Sequence, residues 1–253
     1  MAFDLINSFP TLQNAPITEA VIDIRAELPD SIALADLAAF NRGVETTFSI
    51  RTERRSIQTR VEFQEGRPPR VVAPSNEPDG YLFRAPADLL VAQARLDGFT
   101  LSRLRPYHDG DTFIRQTREN WARYVSVVGP TRITRVAVRN VNRIEMAPGS
   151  DYQRYVLTGP QISRALPQLL QHFFLRLEVP DADSGAMAIV TQTIGPPEGE
   201  ASSIPLIFDI DAFLNADLAP NADQLWDLVN DLRRLKNRIF FRSLTTEALE
   251  AFR

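Results

Sequence analysis

Apolar and polar residues alternate along much of this chain. Ile22, Ile24, Ala26 and Leu28 interleave with Asp23, Arg25 and Glu27, the period of a half-buried strand opening near Ile17. The same alternation recurs over 56–63, at Tyr81–Phe83, over Ile133–Met146, Phe174–Val179, Ala186–Ile194 and Ile204–Leu214. Val71-Val72 is a further short pairing segment, and Asp181–Gly185 is the turn between two of these strands. Helical spacing takes over in four places. Ile32, Leu34, Leu37, Phe40, Val44 and Phe48 predict a helix near 32–48, and Phe113, Thr117, Trp121, Tyr124 and Val128 one over 111–128. Ile162, Leu166, Leu169, Leu170 and Phe173 predict a helix at 161–172, with Pro167 as an irregularity. Leu225, Trp226, Val229, Leu232, Leu235 and Ile239 give the strongest one, over 222–242. The stretch 196–203 reads as a polar loop.

The sharpest local signal is a hairpin. Asp97-Gly98 is a dipeptide suited to the positive φ angles of a type I′ turn. With that turn Leu96 faces Phe99, Arg95 faces Thr100, Ala94 faces Leu101 and Gln93 faces Ser102, and the apolar residues share one side. A β-bulge at Gly98 is the alternative.

A shift of 116 residues lays the second half over the first. Ile17-Thr18 falls on Ile133-Thr134, 59–63 on 175–179, Leu90–Asp97 on Leu206–Phe213, and the helix at 111–128 on 227–244. The expected fold is therefore α+β, in two similar halves covering 1–130 and 131–253 and packed as one unit. Each half is a mostly antiparallel sheet with helices on one face, in the order strand, helix, three or four strands, helix. Such halves resemble, in element order alone, the saddle of the TATA-binding-protein fold, a likeness that implies no DNA binding.

Composition narrows the chemistry. The chain has no cysteine and two histidines, His108 and His172, which removes thiolate sites, disulfides and multi-histidine metal sites within one chain. Its basic residues are arginines apart from Lys236. No phosphate loop, no G-x-G-x-x-G, no H-E-x-x-H and no G-x-S-x-G occurs. No cofactor and no catalytic set is expected. No run approaches a membrane span and no basic-then-apolar leader is present, so the expectation is a cytoplasmic protein without membrane contact.

Charge is uneven: residues 1–50 carry a net −5, residues 51–143 a net +7 and residues 144–253 a net −6. Arg95 and Arg103 on the hairpin, with Arg139 and Arg143 on the long strand, are candidates for an anion-binding surface of phosphate type. Tyr81, Phe83 and Phe99 could add stacking there, or belong to the core. Asn140 and Asn142 share a side with Val136, Val138, Ile144 and Met146, and buried amides need partners. They mark an internal network, a ligand site or an interface. His108, in a loop with Asp109 and Asp111, is a weaker ligand or acid–base candidate. Asp209 and Asp211, two apart on a strand, could share a hard cation.

Taken together, the segments 14–24 (NAPITEAVIDI), 96–107 (LDGFTLSRLRPY), 133–145 (ITRVAVRNVNRIE) and 225–245 (LWDLVNDLRRLKNRIFFRSLT) resemble a sporadically distributed bacterial family of about 250 residues with no assigned function. Where that family often has an aromatic after Pro-Tyr, this chain has His108-Asp109-Gly110. The resemblance implies a horizontally transferred accessory gene, such as part of a defence or toxin–antitoxin cassette, and it supplies no catalytic residue. The expected function is a binding or protein-interaction module, with a homo-oligomer or another protein as partner. A nucleic-acid or phosphate-ligand binder using the arginine-rich centre is the alternative, and a metal-dependent enzyme at Asp209 and Asp211 the second alternative.

Overall fold

The computed structural model describes residues 9–55, 58–62, 70–75, 77–87, 89–107, 109–167, 172–196 and 203–253. Its frame is one antiparallel sheet. The strands are β1 (Ile17–Glu27), β2 (Ile50–Arg55), β5 (Pro78–Ala85), β6 (Leu90–Arg95), β7 (Gly98–Leu104), β8 (Arg132–Met146), β9 (Phe174–Pro180), β10 (Met187–Ile194) and β11 (Ile204–Leu218). They lie in the order β2-β5-β6-β7-β1-β8-β11-β10-β9. Two further strands, β3 (Gln58–Glu62) and β4 (Arg70–Ser75), pair only with each other.

The alternation seen in the sequence decides which side of the sheet is covered. Ala20, Ile22, Ile24 and Ala26 of β1, Phe99 and Leu101 of β7, and Leu206, Phe208, Ile210 and Ala212 of β11 are all buried on one face. Three helices, α1 (Gly110–Val128), α2 (Gln224–Ser243) and α3 (Thr246–Glu250), supply most of the apolar partners for that face. α1 begins where Asp109 accepts a hydrogen bond from the Thr112 N–H at 2.7 Å. It ends at Gly129, whose φ of 51° fits the left-handed cap. Phe40, Phe83, Phe99, Trp121 and Tyr124 form the aromatic centre of the core. Phe83 and Phe99 are thus core residues, while Tyr81 sits under the Arg51 guanidinium, 5.4 Å from its ring centre. No helix among the described residues is long and apolar enough to cross a membrane.

The central seam joins β1 and β8. Ile22 of β1 faces Val138 of β8; on either side β7 flanks β1 and β11 flanks β8. Hydrogen bonding across β1 and β8 makes one sheet of nine strands. The offset of 116 lays β1 on β8 and α1 on α2, but the places of the other strands in the sheet do not follow it. Segment 59–63 begins in the separate β3–β4 pair, whereas 175–179 is at the large sheet's edge. Likewise β6 does not correspond in place to β11; the strand beside β1 is β7.

Three other expectations change. The hairpin turn is at Leu96-Asp97, and the register runs Arg95 to Gly98, Ala94 to Phe99 and Ala92 to Leu101. The predicted faces survive because the register shifts by two residues, which keeps each side chain on its side, except that Leu96 is now a turn residue and exposed. Tertiary hydrogen bonds fix this turn: the Leu96 N–H donates to Asp79 O at 2.9 Å and the Ala26 N–H to Asp97 O at 3.0 Å. The helix expected over 32–48 is a 3-10 segment, Leu34–Asn41, stopped before Gly43. Leu37 and Phe40, three apart, are its buried residues, a spacing that suits three residues per turn. The helix expected at 161–172 is absent from 161–167 and 172; Leu169 and Leu170 lie outside the described residues. Pro160 and Pro167 bound this stretch and deny it backbone donors.

Candidate ligand-binding site

The uncovered face of the sheet carries an ionic lattice. Asp23 on β1 sits between two arginines. Arg95 Nη1 donates to Asp23 Oδ1 at 2.7 Å and Arg135 Nη1 to Oδ2 at 3.4 Å. Thr100 Oγ1 adds a third hydrogen bond, 2.6 Å long, to Asp23 Oδ1. Arg135 continues to Asp211 at 3.2 Å, and Arg139 grips both oxygens of Asp209 at 2.8 and 2.6 Å. Burial alone would raise the Asp23 carboxyl; Arg95, the Thr100 hydroxyl and Arg135 outweigh it and hold the pKa below the ordinary 3.8. Asp211 is pushed up by its burial, against the pull of Arg135 and Arg139 and with Asp209 adding repulsion.

This lattice decides where the expected anion-binding residues stand. Arg95, Arg139 and Arg143 project from the open face, each toward a carboxylate: Asp23 and Asp97, Asp209, and Glu145 respectively. Arg103 is on the other face, opposite Ala20 and Leu90 in register. The four therefore form no single surface, and carboxylates of the flanking segments, Asp23, Asp209 and Glu145, meet three of them. Asp209 and Asp211 share a face as their spacing required, but arginine occupies both. Among the described residues no group of three or more metal-ligating side chains comes together. His108 lies outside the described residues.

Asp23→Ala is expected to lower the unfolding free energy by about 2 kcal/mol, because it takes one of two carboxylates from the nearly buried Arg95, which keeps Asp97, and one of two from Arg135, which keeps Asp211. Urea titration at neutral pH measures it. Since the Asp23 pKa is held below its ordinary value, the wild-type advantage persists above pH 4 and is lost as pH falls through the folded pKa.

The covered face holds a different arrangement. Asn140 and Asn142 of β8 lie under α2, in register with Ala20 and Ile17 of β1 and with Ile210 and Phe208 of β11. Asn142 Nδ2 donates to Phe208 O at 2.9 Å, while its Oδ1 is buried without a partner. With the Asn140 amide oriented by its surroundings, Nδ2 donates to Arg139 O at 2.9 Å and Oδ1 accepts from Lys236 Nζ at 2.7 Å. Lys236 is the one lysine of the chain and is 7% exposed. Among the described residues no carboxylate is within ion-pair distance of it. Burial, and then the neighbouring Arg233 cation, pull its pKa from 10.5 down to about 7.

A cleft of about 170 Å³ opens over these groups. The segment 9–17 forms one wall, Tyr107 with Asp109, Gly110 and Asp111 a second, and α2 from Arg233 to Phe241 a third. The first wall is anchored at both ends. Phe9 stacks on Phe241 with ring centres 5.1 Å apart, and Asn14 bonds through its N–H and side chain to the Phe252 and Arg253 carbonyls. Arg233 pairs with Asp111 at the opposite wall. Burial pushes the Tyr107 phenol up to about 12, so it stays protonated and able to donate. The cleft thus offers an amine that gains or loses its proton near neutrality, a neutral phenol and a free amide oxygen.

Sequence reasoning singled out Asn140 and Asn142 but passed over Lys236 and Tyr107. A signal for Lys236 existed: it stands four residues after Leu232 and four before Phe240, on the buried stripe of α2. A larger depression of about 890 Å³, between the 3-10 segment and α1, is lined by exposed Arg42 and Arg51 and contains no buried polar group.

No family model and no curated protein matches this chain.

Proposed function

We propose that the protein is a binding protein whose ligand is a small carboxylate or phosphate compound held in the cleft over Asn140 and Asn142. The observation that carries this reading is Lys236, a buried amine with an amide oxygen for a neighbour and no carboxylate to balance its charge. A group so placed has two stable conditions: neutral and empty, or protonated and paired with an anion that enters. Asn142 Oδ1, buried and unpartnered, suits a ligand that also carries a hydrogen-bond donor, such as a hydroxy or amino acid. In the accessory setting that the family resemblance implies, the protein would detect such a compound. The seam between β1 and β8, with β7 and β11 beside it and one long helix after each, supports the reading of the chain as two similar halves. The cleft lies on the second half's strand and helix, closed by the first half's segment 9–17.

Calorimetry against a panel of hydroxy acids, amino acids and their phosphorylated forms tests the proposal. At least one member is expected to bind, with affinity falling at least about tenfold in Lys236→Met. Binding is also expected to take up a proton at pH 8, because the anion restores the charge of an amine that is neutral when the cleft is empty. A panel member binding equally to wild type and Lys236→Met would refute the role of the amine. No binding across the panel would refute the ligand class.

A further inference from the structure

The outer edge of β9 is the second feature that stands out, and it is independent of the cleft. Among the described residues β9 pairs with β10 on one side only and ends the sheet. Its sequence, FLRLEVP, has Phe174 70% exposed and Val179 41% exposed. The opposite edge is built differently. β2 reads IRTERR, with a net +2 along six residues, and such an edge repels a copy of itself. β9 has no net charge.

The charges of β9 are arranged for self-pairing. Arg176 and Glu178 project on one side of the strand and contact each other within the chain. When two copies of one edge strand pair antiparallel about a two-fold axis normal to the sheet, both open faces stay on one side. The axis must then pass beside a residue, not between two. With the axis at Leu177, Arg176 meets Glu178 of the second copy, and Glu178 meets its Arg176. Leu175 meets Val179, Leu177 meets itself and Phe174 meets Pro180. Moving the axis to Arg176 sets arginine against arginine; moving it to Glu178 sets glutamate against glutamate. Opposite charges directly across a ladder stabilise and like charges destabilise, so of these three registers the central one is favoured.

We propose that the protein forms a homodimer by antiparallel pairing of β9 with β9 of a second copy, with the two-fold axis at Leu177. The nine strands of each chain then continue into one sheet of twice that number, and the exposed Phe174 side chain is covered. The two clefts remain separate, one per chain, because Asn140, Asn142 and Lys236 lie on β8 and α2, away from this edge.

Sedimentation equilibrium over a range of concentrations tests this on four proteins. Wild type is expected at twice the 28.5 kDa chain mass. Arg176→Glu and Glu178→Arg each put like charges across the axis and are expected to weaken the dimer at least about tenfold. The double variant Arg176→Glu/Glu178→Arg restores opposite charges and is expected to dimerise again. An equimolar mixture of the two single variants is expected to form a heterodimer, since each supplies what the other lacks. Thermal melts confirm that the exposed substitutions leave the chain folded. A monomeric wild type, single variants that dimerise as well as wild type, or single variants that fail to combine when mixed would each overturn the proposal.

Discussion

Gly98→Ala is expected to destabilise the protein by more than about 3 kcal/mol, a large fraction of the about 5–15 kcal/mol that keeps an ordinary domain folded. Gly98 begins β7 with φ 139°, a value that L side chains rarely adopt. A Cβ there would lie 2.8 Å from Arg25 Cα and well inside contact distance of the Ile24 carbonyl oxygen. Both obstacles are backbone. Relief would require β1 to move, and β1 is tied to β8 along the central seam. Gly129→Ala serves as the comparison. Its φ is also positive, 51°, but nothing lies within 4 Å of a Cβ at that site, so only the conformational penalty of about 1 kcal/mol applies. Urea titration of the two variants beside wild type checks both values. Equal, small losses would mean that the β1–β7 approach is looser than described.

Lys236 is expected to make stability rise with pH across a window where most proteins change little. In the unfolded chain its amine is hydrated and keeps its proton to about pH 10.4. In the folded protein burial and Arg233 lower the pKa to about 7. Between these values the unfolded state binds a proton that the folded state does not, so stability increases with pH. Below pH 7 the whole penalty is present; each pKa unit is worth about 1.4 kcal/mol, giving on the order of 5 kcal/mol. Asn140 from β8, Arg233 from α2 and Tyr107 and Asp111 from the opposite wall face the cleft beside it. Of these, Tyr107 bounds the window from above. Its folded pKa is raised to about 12, so ionisation of the unfolded tyrosine begins to favour unfolding above about pH 10.

The check is the difference between Lys236→Met and wild type. Methionine fills similar space without a charge, so the variant is expected to be the more stable at pH 6, with the advantage fading by pH 10. Parallel stability curves over that range would show that Lys236 titrates as a solvated amine. Because the chain has no other lysine, the pH dependence of its acylation, located by mass spectrometry, reads the same ionisation without unfolding the protein.

Much of the frame was legible in the sequence. The alternation in Ile22–Leu28 and in 133–146 located β1 and β8, and the stripe from Leu225 to Ile239 located α2, because one-sided burial imposes a period on any strand or helix long enough to show it. The hairpin at residue 98 was read one step away from its true turn. Its local logic was sound, since Asp-Gly favours a tight bend. What defeated it was β1, whose backbone passes so close that the glycine is needed inside the ladder and not in the turn. The 3-10 segment at 34–41 was read as a longer helix for a similar reason: spacings of three and four are both apolar-compatible over so short a run.

The candidate site was half legible. Two asparagines on the buried side of β8 announced that something polar lay beneath α2, since amides are not buried without partners. The lysine above them was read only as a helix residue. Likewise the arginines of the middle segment looked free when counted along the chain. In the folded sheet Asp23 and Asp209 come from other strands to meet them.

Periodicity, turn residues and the lack of cysteine fix an antiparallel α+β protein and exclude thiolate chemistry, because these depend on near neighbours in the chain. Which charges are neutralised, which amine is left dry, and which glycine must stay bare depend on strands separated by tens to more than a hundred residues. Those facts arise only when the sheet closes across β1 and β8.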